Sequence, residues 1–372
     1  MSRPTIAEID LDAIAFNFLQ VRKLVGRNAK ICPAVKADAY GHGAVEASRA
    51  LLDAGAEMLG VATVEEGLEL RQARIHAPIL LLGCILPDQI PEAIRCELTM
   101  AVCDHSSAAG ISREAQAADR RVKVHIKVDT GMGRIGAQPE EAVDLTLGIS
   151  KMPGLEIEGI FTHFPCANEE DLSFTHQQIR EFQQIIQAIE DAGLHIPLRH
   201  AANSGAILNV PESYFDMVRP GIMLYGLYDS THRIELRQSM TLKSKIAFIK
   251  ELAAGKTVSY GRTFTAARRT LVATVPIGYA DGYNRLLSNK AAALVHGKRV
   301  PVIGRVCMDQ TMLDVTEVSS VSVGDEVVLY GRQGDECIRI EEIAALLGTI
   351  SYEVVCAVGK RVPRVYLRKA PR

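Results

Sequence analysis

The sequence predicts an α/β protein, in which a (β/α)8 TIM barrel is followed by a smaller, mostly antiparallel β domain. Over the first ~230 residues, short apolar runs alternate with longer amphipathic stretches. Continuous apolar runs of this length are typical of strands buried on both faces, as in parallel sheets. Beyond that point the runs are separated by Gly, Pro and Asp turn sequences, which indicates a small antiparallel domain.

The predicted barrel strands are separated by intervals long enough to hold a helix. They are Ile31 to Val35, Met58 to Ala62, Ile79 to Leu82, Thr99 to Val102, Val122 to Val128, Ile157 to Thr162, Leu198 to Ala201 and Val218 to Leu224. Eight such strand-then-helix units indicate a TIM barrel. The alternative is an open doubly wound sheet, which the lack of a G-x-G-x-x-G motif after the first strand disfavours.

Helical patterns fill the intervals between these strands. The clearest runs from Phe174 to Ala192, where isoleucine and phenylalanine recur at helical spacing. We expect Ser173 to cap the start of this helix and Gly193 to supply a left-handed residue after its end. Leu11 to Val25 and Ala44 to Ala54 show the same pattern.

The second domain is predicted from six shorter strand-like runs. They are Ser244 to Ile249, Leu271 to Val275, Ala291 to Val295, Val300 to Ile303, Thr311 to Val315 and Glu326 to Tyr330. We place the barrel at residues 1–235 and the β domain at residues 236–372. One further run, Thr5 to Asp10, precedes the barrel strands and is a candidate to pair with the second domain.

The bulk composition excludes several classes of function. The 372 residues are 48% hydrophobic and 23% charged with a formal net charge of −2, and no basic stripe is visible, so we expect no nucleic-acid partner. The apolar runs are far shorter than a membrane span. The start of the chain carries acidic residues early and lacks a signal-peptide pattern, so we expect a cytoplasmic protein.

The eight cysteines are expected to be structural thiols. None forms a C-x-x-C pair, and most lie inside apolar runs, where a free thiol behaves as a small hydrophobic residue. Size and the missing signal argue against disulfides and against zinc, so no metal is expected.

Lys36 directly follows the first predicted barrel strand. Catalytic residues of barrels project from the C-terminal ends of the strands. Partial burial there would favour the neutral amine that can attack a carbonyl carbon. Position alone favours a catalytic lysine no more than a surface lysine whose aliphatic stem lies along the barrel rim.

The stretch Ala-Val-Lys-Ala-Asp-Ala-Tyr-Gly-His-Gly around Lys36 closely resembles the cofactor-lysine signature of alanine racemases, which are barrel-class pyridoxal-phosphate enzymes. Eight further motifs resemble that family, in the family's order and over both predicted domains. They lie at residues 125–134, 161–164, 200–208, 218–226, 258–261, 277–282, 304–310 and 350–354. One departure is the loop at residues 165–170, where the family usually has small residues and an acid.

The resemblance implies a two-base racemisation in which Lys36 holds the aldehyde carbon of pyridoxal 5'-phosphate and also acts as one acid/base. Tyr260, contributed by the partner chain of a homodimer, would be the second base, because a proton must leave one face and arrive on the other. The pKa of an ordinary tyrosine is too high for an effective base, so cationic neighbours would have to lower it. The family pattern supplies His163 and Arg219 as these neighbours. Considered alone, Tyr260 between Ser259 and Gly261 would be a half-buried turn residue.

Further roles follow from the resemblance. Arg219 would face the pyridine nitrogen, and because a guanidinium only donates hydrogen bonds, that nitrogen would stay unprotonated. Arg134 would bind the substrate carboxylate or the phenolic oxygen. A carbamylated Lys127 would fix Arg134, and a plain lysine or a bound chloride are the alternatives. The other implied cofactor-binding residues are Tyr40, Asn203, Ser204, Gly221, Ile222 and Tyr352, and the other substrate-binding residues are Tyr279, Met308 and Asp309.

The implied function is interconversion of L-alanine and D-alanine, which supplies D-alanine for peptidoglycan. A serine or broader-specificity racemase is the nearest alternative, although Tyr260, Met308 and Tyr352 should crowd the side-chain pocket. A decarboxylase of basic amino acids would need an acid at the ring nitrogen and a glycine-rich phosphate loop, which this sequence lacks. A non-enzymatic pyridoxal-phosphate carrier would be a single barrel without a second domain.

Overall fold

In a computed structural model that describes residues 3–228 and 234–368, eight parallel strands form one sheet that closes into a barrel. The strands are β2 (Lys30–Ile31), β3 (Leu59–Val61), β4 (Ile79–Leu81), β5 (Leu98–Val102), β6 (Val122–Lys127), β7 (Leu155–Phe161), β8 (Leu198–His200) and β9 (Met217–Val218). The sheet order is β2-β9-β8-β7-β6-β5-β4-β3. A parallel bridge between Ala34 and Gly60 joins its two edges, and this confirms the predicted fold class.

The predicted strands all lie in the barrel, but the last of them is shorter than expected. Only Met217–Val218 is paired, and Ile222–Tyr225 forms a 3-10 helix instead of the strand predicted as far as Leu224. Pro220 has no N–H to donate, although its carbonyl still accepts from Ala34 N–H at 2.8 Å, and the chain leaves the ladder after this residue. In the first barrel strand, which is the neighbour of β9, Ile31 to Val35 is regular only as far as Ile31, although Cys32 N–H still donates to Val218 O at 2.9 Å.

Helices alternate with the barrel strands, and the longer ones bury one apolar stripe each. They are α1 (Leu11–Val25), α2 (Lys36–Gly41), α3 (Ala44–Asp53), α4 (Val64–Gln72), α5 (Ile90–Arg95), α6 (His105–Ala117), α7 (Pro139–Ile149), α8 (Ser173–Asp191) and α9 (Ser204–Asn209). In α8 the buried stripe includes Ile179, Phe182, Ile185, Ile186 and Ile189. None of the helices in the described ranges is long and apolar enough to cross a membrane.

The capping of α8 differs from the prediction at one end. Ser173 is the first helical residue and not the cap, because the Asp171 carboxylate already accepts from Ser173 N–H at 2.9 Å. At the other end Gly193 has a φ of +85°, the left-handed conformation predicted for it.

The second half of the chain is mostly antiparallel. Its elements are β10 (Met240–Lys245), β11 (Phe248–Leu252), β12 (Thr257–Val258), β13 (Phe264–Thr265), β14 (Thr270–Val275), β15 (Ala292–Val295), β16 (Lys298–Pro301), β17 (Thr311–Asp314), β18 (Glu326–Gln333), β19 (Glu336–Ile338), α10 (Ile340–Leu347), α11 (Ser351–Cys356) and β20 (Arg364–Leu367). Its largest sheet has the order β16-β15-β18-β10-β1-β20, with β19 paired to β18, and includes the N-terminal strand β1 (Ile6–Asp10). Strand β1 is antiparallel to β10 and parallel to β20, so β1 belongs to the sheet of the second domain.

The predicted run from Ser244 to Ile249 is wrong as a single strand. It contains the end of β10 and the start of β11, which belong to different sheets. Between them Ile246 N–H donates to Asp325 O and Ala247 N–H donates to Thr274 O, so the backbone changes hydrogen-bonding partners at this corner.

Candidate active site

The segment after Lys36 is a turn of left-handed helix. Residues 37 to 40 of α2 have φ values of 52°, 54°, 51° and 54°, and none of them is glycine. A left-handed conformation costs a non-glycine residue about 1–2 kcal/mol. Four in succession must therefore be held by contacts with the rest of the protein, a sign of backbone strain stored at a functional position.

Hydrogen bonds from the barrel stabilise one side of this turn. The Glu66 carboxylate accepts from Ala37 N–H at 2.7 Å, and the Asp38 carboxylate accepts from Ala44 N–H at 2.7 Å. His42 is fully buried, and burial lowers its pKa to about 4. The neutral ring contacts Tyr40 O through Nδ1 at 2.9 Å and thereby ties down the end of the turn.

The second domain packs against the other side of the turn. Gly41 has a φ of +80°, and a Cβ there would collide with the backbone oxygen of Val355. A Cβ at Gly43 would collide with the Tyr366 hydroxyl. Arg364 Nε also donates to Gly41 O at 3.0 Å. Glycine is required at both positions because another backbone or side chain approaches too closely for any larger residue.

The Lys36 amine is half-buried at the end of its strand. Burial lowers its pKa, and the charge of Arg134 lowers it further, while Glu66 acts in the opposite direction. A larger fraction of the amine is therefore neutral near pH 7 than in a free lysine. A neutral amine is the form that attacks a carbonyl carbon.

A buried arginine lies beneath this lysine. Burial lowers the pKa of Arg219 to about 10, so it remains a cation at neutral pH. Its guanidinium donates to Thr162 O at 2.7 Å and to Ala201 O at 3.0 Å, and it lies 2.6 Å from His200 Nδ1. His163 Nδ1 is 3.4 Å away, and burial and the Arg219 charge lower the pKa of His163 well below its usual value.

Arg219 begins a hydrogen-bonded chain through the barrel interior. Since a guanidinium can only donate, His200 accepts at Nδ1 and carries its proton on Nε2, which lies 2.8 Å from His125 Nδ1. His125 then donates through Nε2 to Glu158 at 3.2 Å. Burial lowers the pKa of both histidines, so the chain holds neutral rings in fixed tautomers. The sequence does not predict this chain of side chains, although His125 and His200 inside the apolar strands β6 and β8 are a signal for it.

A cradle of hydroxyl groups surrounds Gly221 at the end of the barrel. Gly221 N–H donates to Ser204 Oγ at 3.0 Å, and a Cβ at Gly221 would lie 2.7 Å from Tyr40 Oη. The rings of Tyr40 and Tyr352 are 5.9 Å apart. Burial raises the pKa of Tyr40 and raises that of Tyr352 to about 12, so both phenols keep the proton they can donate. Such a cradle suits a phosphate group.

Two other predicted residues flank the cradle. Ile222 is buried and starts the 3-10 helix after Gly221. The Asn203 side chain is already engaged, because it accepts from Ala206 N–H at 3.1 Å and donates to Phe164 O at 2.9 Å. The loop at residues 165–170 is fixed nearby, with Ala167 O accepting from Asn209.

Two further cations give the site a positive potential. Lys127, 2% exposed at the end of β6, donates to Val128 O at 2.6 Å, and burial followed by the Arg219 charge lowers its pKa to about 8. Arg134 is exposed, and its charge lowers the pKa of Lys36, His163 and Lys127. An anionic ligand is therefore favoured here.

The predicted residues of the second domain lie on one exposed surface. Tyr260 is 72% exposed, Met308 52% and Tyr279 43%. Tyr279 N–H donates to Cys307 O, and Asp309 forms an ion pair with Arg361 at 2.7 Å. Within the part of the chain that the structure describes, no hydrogen bond, ring contact or charge interaction joins Tyr260 to Lys36 or His163.

The fold is a parallel β/α barrel with a separate antiparallel β domain, and Lys36 lies at the end of a barrel strand. Two family models match the chain, "Alanine racemase, N-terminal domain" over residues 9–229 and "Alanine racemase, C-terminal domain" over residues 239–366. The chain belongs to the alanine racemase family.

Individual relatives are similar over nearly the whole length. An alanine racemase of Desulforamulus reducens is 49% identical, covering 99% of this chain and 100% of the relative. The structure of an alanine racemase from Clostridium difficile 630 superimposes with a TM-score of 0.95 at 41% identity, covering 99% of this chain and 96% of that one. One from Bartonella henselae, solved with covalently bound pyridoxal phosphate, has a TM-score of 0.88 at 28% identity, covering 98% of this chain and 99% of that one.

Proposed function

We propose that this chain interconverts L-alanine and D-alanine with pyridoxal 5'-phosphate held on Lys36. The observation that carries the proposal is the half-buried Lys36 amine at a barrel strand end, beside the cationic Arg134 and Arg219. Family membership and the pyridoxal phosphate of the Bartonella henselae relative support the same reaction.

The residues present fit this cofactor. Lys36 would hold its aldehyde carbon, and Arg219 would donate a hydrogen bond to its ring nitrogen. The cradle around Gly221, where a side chain is excluded, would hold its phosphate through Ser204 and Tyr40, with Tyr352 and Ile222 beside them. Once bound, the cofactor serves as an electron sink that weakens the Cα–H bond of an amino acid.

Arg219 would limit how strong that electron sink becomes. A guanidinium does not release its proton near neutrality, and the His200 to Glu158 chain fixes its orientation. The ring nitrogen would therefore not be protonated by its partner. A weaker sink favours rapid return of the proton to Cα over side reactions such as transamination.

Proton transfer needs one base on each face of the substrate. Lys36 would take or return the proton on its own face. Tyr260 of a second copy of the chain would serve the opposite face, with His163 and Arg219 nearby. Tyr260, Tyr279 and Met308 form an exposed apolar surface that a second copy would cover, so we propose a homodimer with shared active sites.

The substrate carboxylate would be bound by Arg134, with Met308 and Asp309 of the second copy beside it. Lys127 would become a carbamate and fix Arg134. A pKa of about 8 leaves part of the Lys127 amine neutral near pH 7, which is the form that combines with carbon dioxide. The barrel would act in the cytoplasm and supply D-alanine for peptidoglycan.

The test has two parts. Borohydride reduction of the holoenzyme followed by peptide mapping should place the cofactor on Lys36, and labelling of another lysine would overturn the proposal. A racemisation assay with L-alanine, L-serine and L-lysine as competing substrates should show a preference for alanine. Equal or faster turnover of serine would identify a broader-specificity racemase.

A further inference from the structure

Two cysteines meet at the mouth of the barrel, outside the groups that the proposed reaction uses. Cys84 follows β4 and Cys103 follows β5, and their sulfur atoms are 2.7 Å apart. Strands β4 and β5 pair as Ile79 with Leu98 and Leu80 with Thr99, a constant offset of 19 residues. Cys84 and Cys103 are also 19 residues apart, so they lie opposite each other where this register continues.

The distance between the two sulfur atoms and the spacing of the two strands before them are compatible with a disulfide. Neighbouring strands lie about 4.8 Å apart, within the roughly 4.4–6.8 Å between Cα atoms that disulfides require. The sulfurs are already closer than unbonded sulfur atoms normally pack, and about 2.05 Å is the bonded distance. All eight cysteines are free thiols in this structure.

The two thiols differ in reactivity. Cys84 is the thiol that reacts first, and Cys103 is the thiol that reacts second. Cys84 is exposed, and its hydrogen bond with Cys103 lowers the pKa of its thiol to about 7. The same hydrogen bond, together with burial, raises the pKa of Cys103. An exposed thiolate beside a protonated thiol is the arrangement of an attacking and a resolving cysteine.

We propose that Cys84 and Cys103 form a reversible disulfide at the barrel mouth, with a low-molecular-weight disulfide such as glutathione disulfide as the oxidant. The Cys84 thiolate attacks one sulfur of the oxidant, forms a mixed disulfide and releases one thiolate. Cys103 then loses its proton to water and attacks the Cys84 sulfur, which releases the second thiolate. Two protein thiols are oxidised, and one glutathione disulfide is reduced to two glutathione molecules.

The disulfide would change the charge beside Lys127. While Lys127 is an ammonium and not the proposed carbamate, it lowers the pKa of both cysteines, and Cys103 in turn raises that of Lys127. Oxidation removes the thiolate and so removes a negative charge that favours the ammonium form. Formation of the disulfide does not require the proposed racemisation. Lys127 interacts with the two cysteines and also belongs to the proposed racemase site.

The test is oxidation of the holoenzyme with excess glutathione disulfide, followed by thiol titration under denaturing conditions and peptide mapping without reductant. The expected count falls from eight free thiols to six. The only new linkage should join Cys84 to Cys103, and dithiothreitol should reverse it. A count that stays at eight, a linkage between other cysteines, or glutathione that remains on Cys84 of the unaltered protein would overturn the proposal.

Three variants sharpen this result. Cys103→Ser should retain glutathione on Cys84, because the resolving thiol is missing. Cys84→Ser should react much more slowly, because Cys103 is less exposed than Cys84 and burial raises the pKa of its thiol. Cys337→Ser, altered in β19, is the matched control and should form the same linkage as the unaltered protein. Rapid glutathione uptake by Cys84→Ser would contradict the assigned roles. These readouts do not depend on racemase activity.

Discussion

Replacing Gly41 with alanine should destabilise the protein and reduce its activity together. Gly41 has a φ of +80°, and its added Cβ would strike the Val355 carbonyl, a backbone atom that cannot swing away. The left-handed conformation costs an alanine about 1–2 kcal/mol, and overpacking adds about 1–3 kcal/mol. We therefore expect a loss of about 2–5 kcal/mol, summed from those two contributions.

Gly193→Ala is the matched control for the conformational cost. Gly193 has a φ of +85° but has no atom within 4 Å of an added Cβ, so it should lose only about 1–2 kcal/mol. The free energy of unfolding of each variant can be measured by urea denaturation with circular dichroism. Turnover of L-alanine should fall in Gly41→Ala and stay unchanged in Gly193→Ala. Equal losses of stability in the two variants would refute the idea that the second domain confines the turn after Lys36.

Three further predictions concern the charged and proton-transfer groups. Tyr260→Phe should slow removal of the α-proton from L-alanine more than from D-alanine, measured as exchange of the α-hydrogen with deuterated solvent from each enantiomer; equal losses of exchange would argue against two bases. Arg219→Glu should produce a long-wavelength absorption band on adding alanine, and an unchanged spectrum would mean that Arg219 does not face the ring nitrogen. Lys127→Met should stabilise the protein near pH 7 in carbon-dioxide-free buffer by about 3 kcal/mol, since burial lowers the Lys127 pKa from 10.5 to about 8. Between pH 8 and 10.5 the unfolded Lys127 is more protonated than the folded one, so the protein that retains Lys127 becomes more stable as the pH rises. The extra stability of Lys127→Met should therefore disappear over this range. Extra stability that does not change with pH would contradict this reasoning.

The barrel could be predicted because its strands are buried on both faces. Runs such as Ile79 to Leu82 are continuous and apolar, and the structure has β4 at that position. The eighth strand was predicted too long because Ile222 and Leu224 are equally apolar in a strand and in a buried 3-10 helix. Periodicity alone cannot separate these two cases.

The conformation after Lys36 could not be predicted from its own residues. Ala-Asp-Ala-Tyr contains no glycine, and nothing local favours a left-handed turn over a right-handed helix. The choice is made by distant partners, Glu66 in the barrel and Val355 in the second domain. The histidine chain was missed for a related reason, since His125 and His200 acquire their roles only when β6 and β8 place them side by side.

The left-handed turn also makes the reactivity of Lys36 a reporter of domain docking. A fragment that ended with the barrel would retain all eight strands, yet it would lack Val355, Arg364 and Tyr366 against Gly41 and Gly43. Its lysine would relax toward an ordinary backbone conformation and lose its orientation. If the two halves were produced separately and mixed, Lys36 would regain its reactivity with aldehydes when the halves assemble, and not when the barrel alone folds. The barrel and the second domain are therefore separate folding regions, but the orientation of Lys36 depends on both of them.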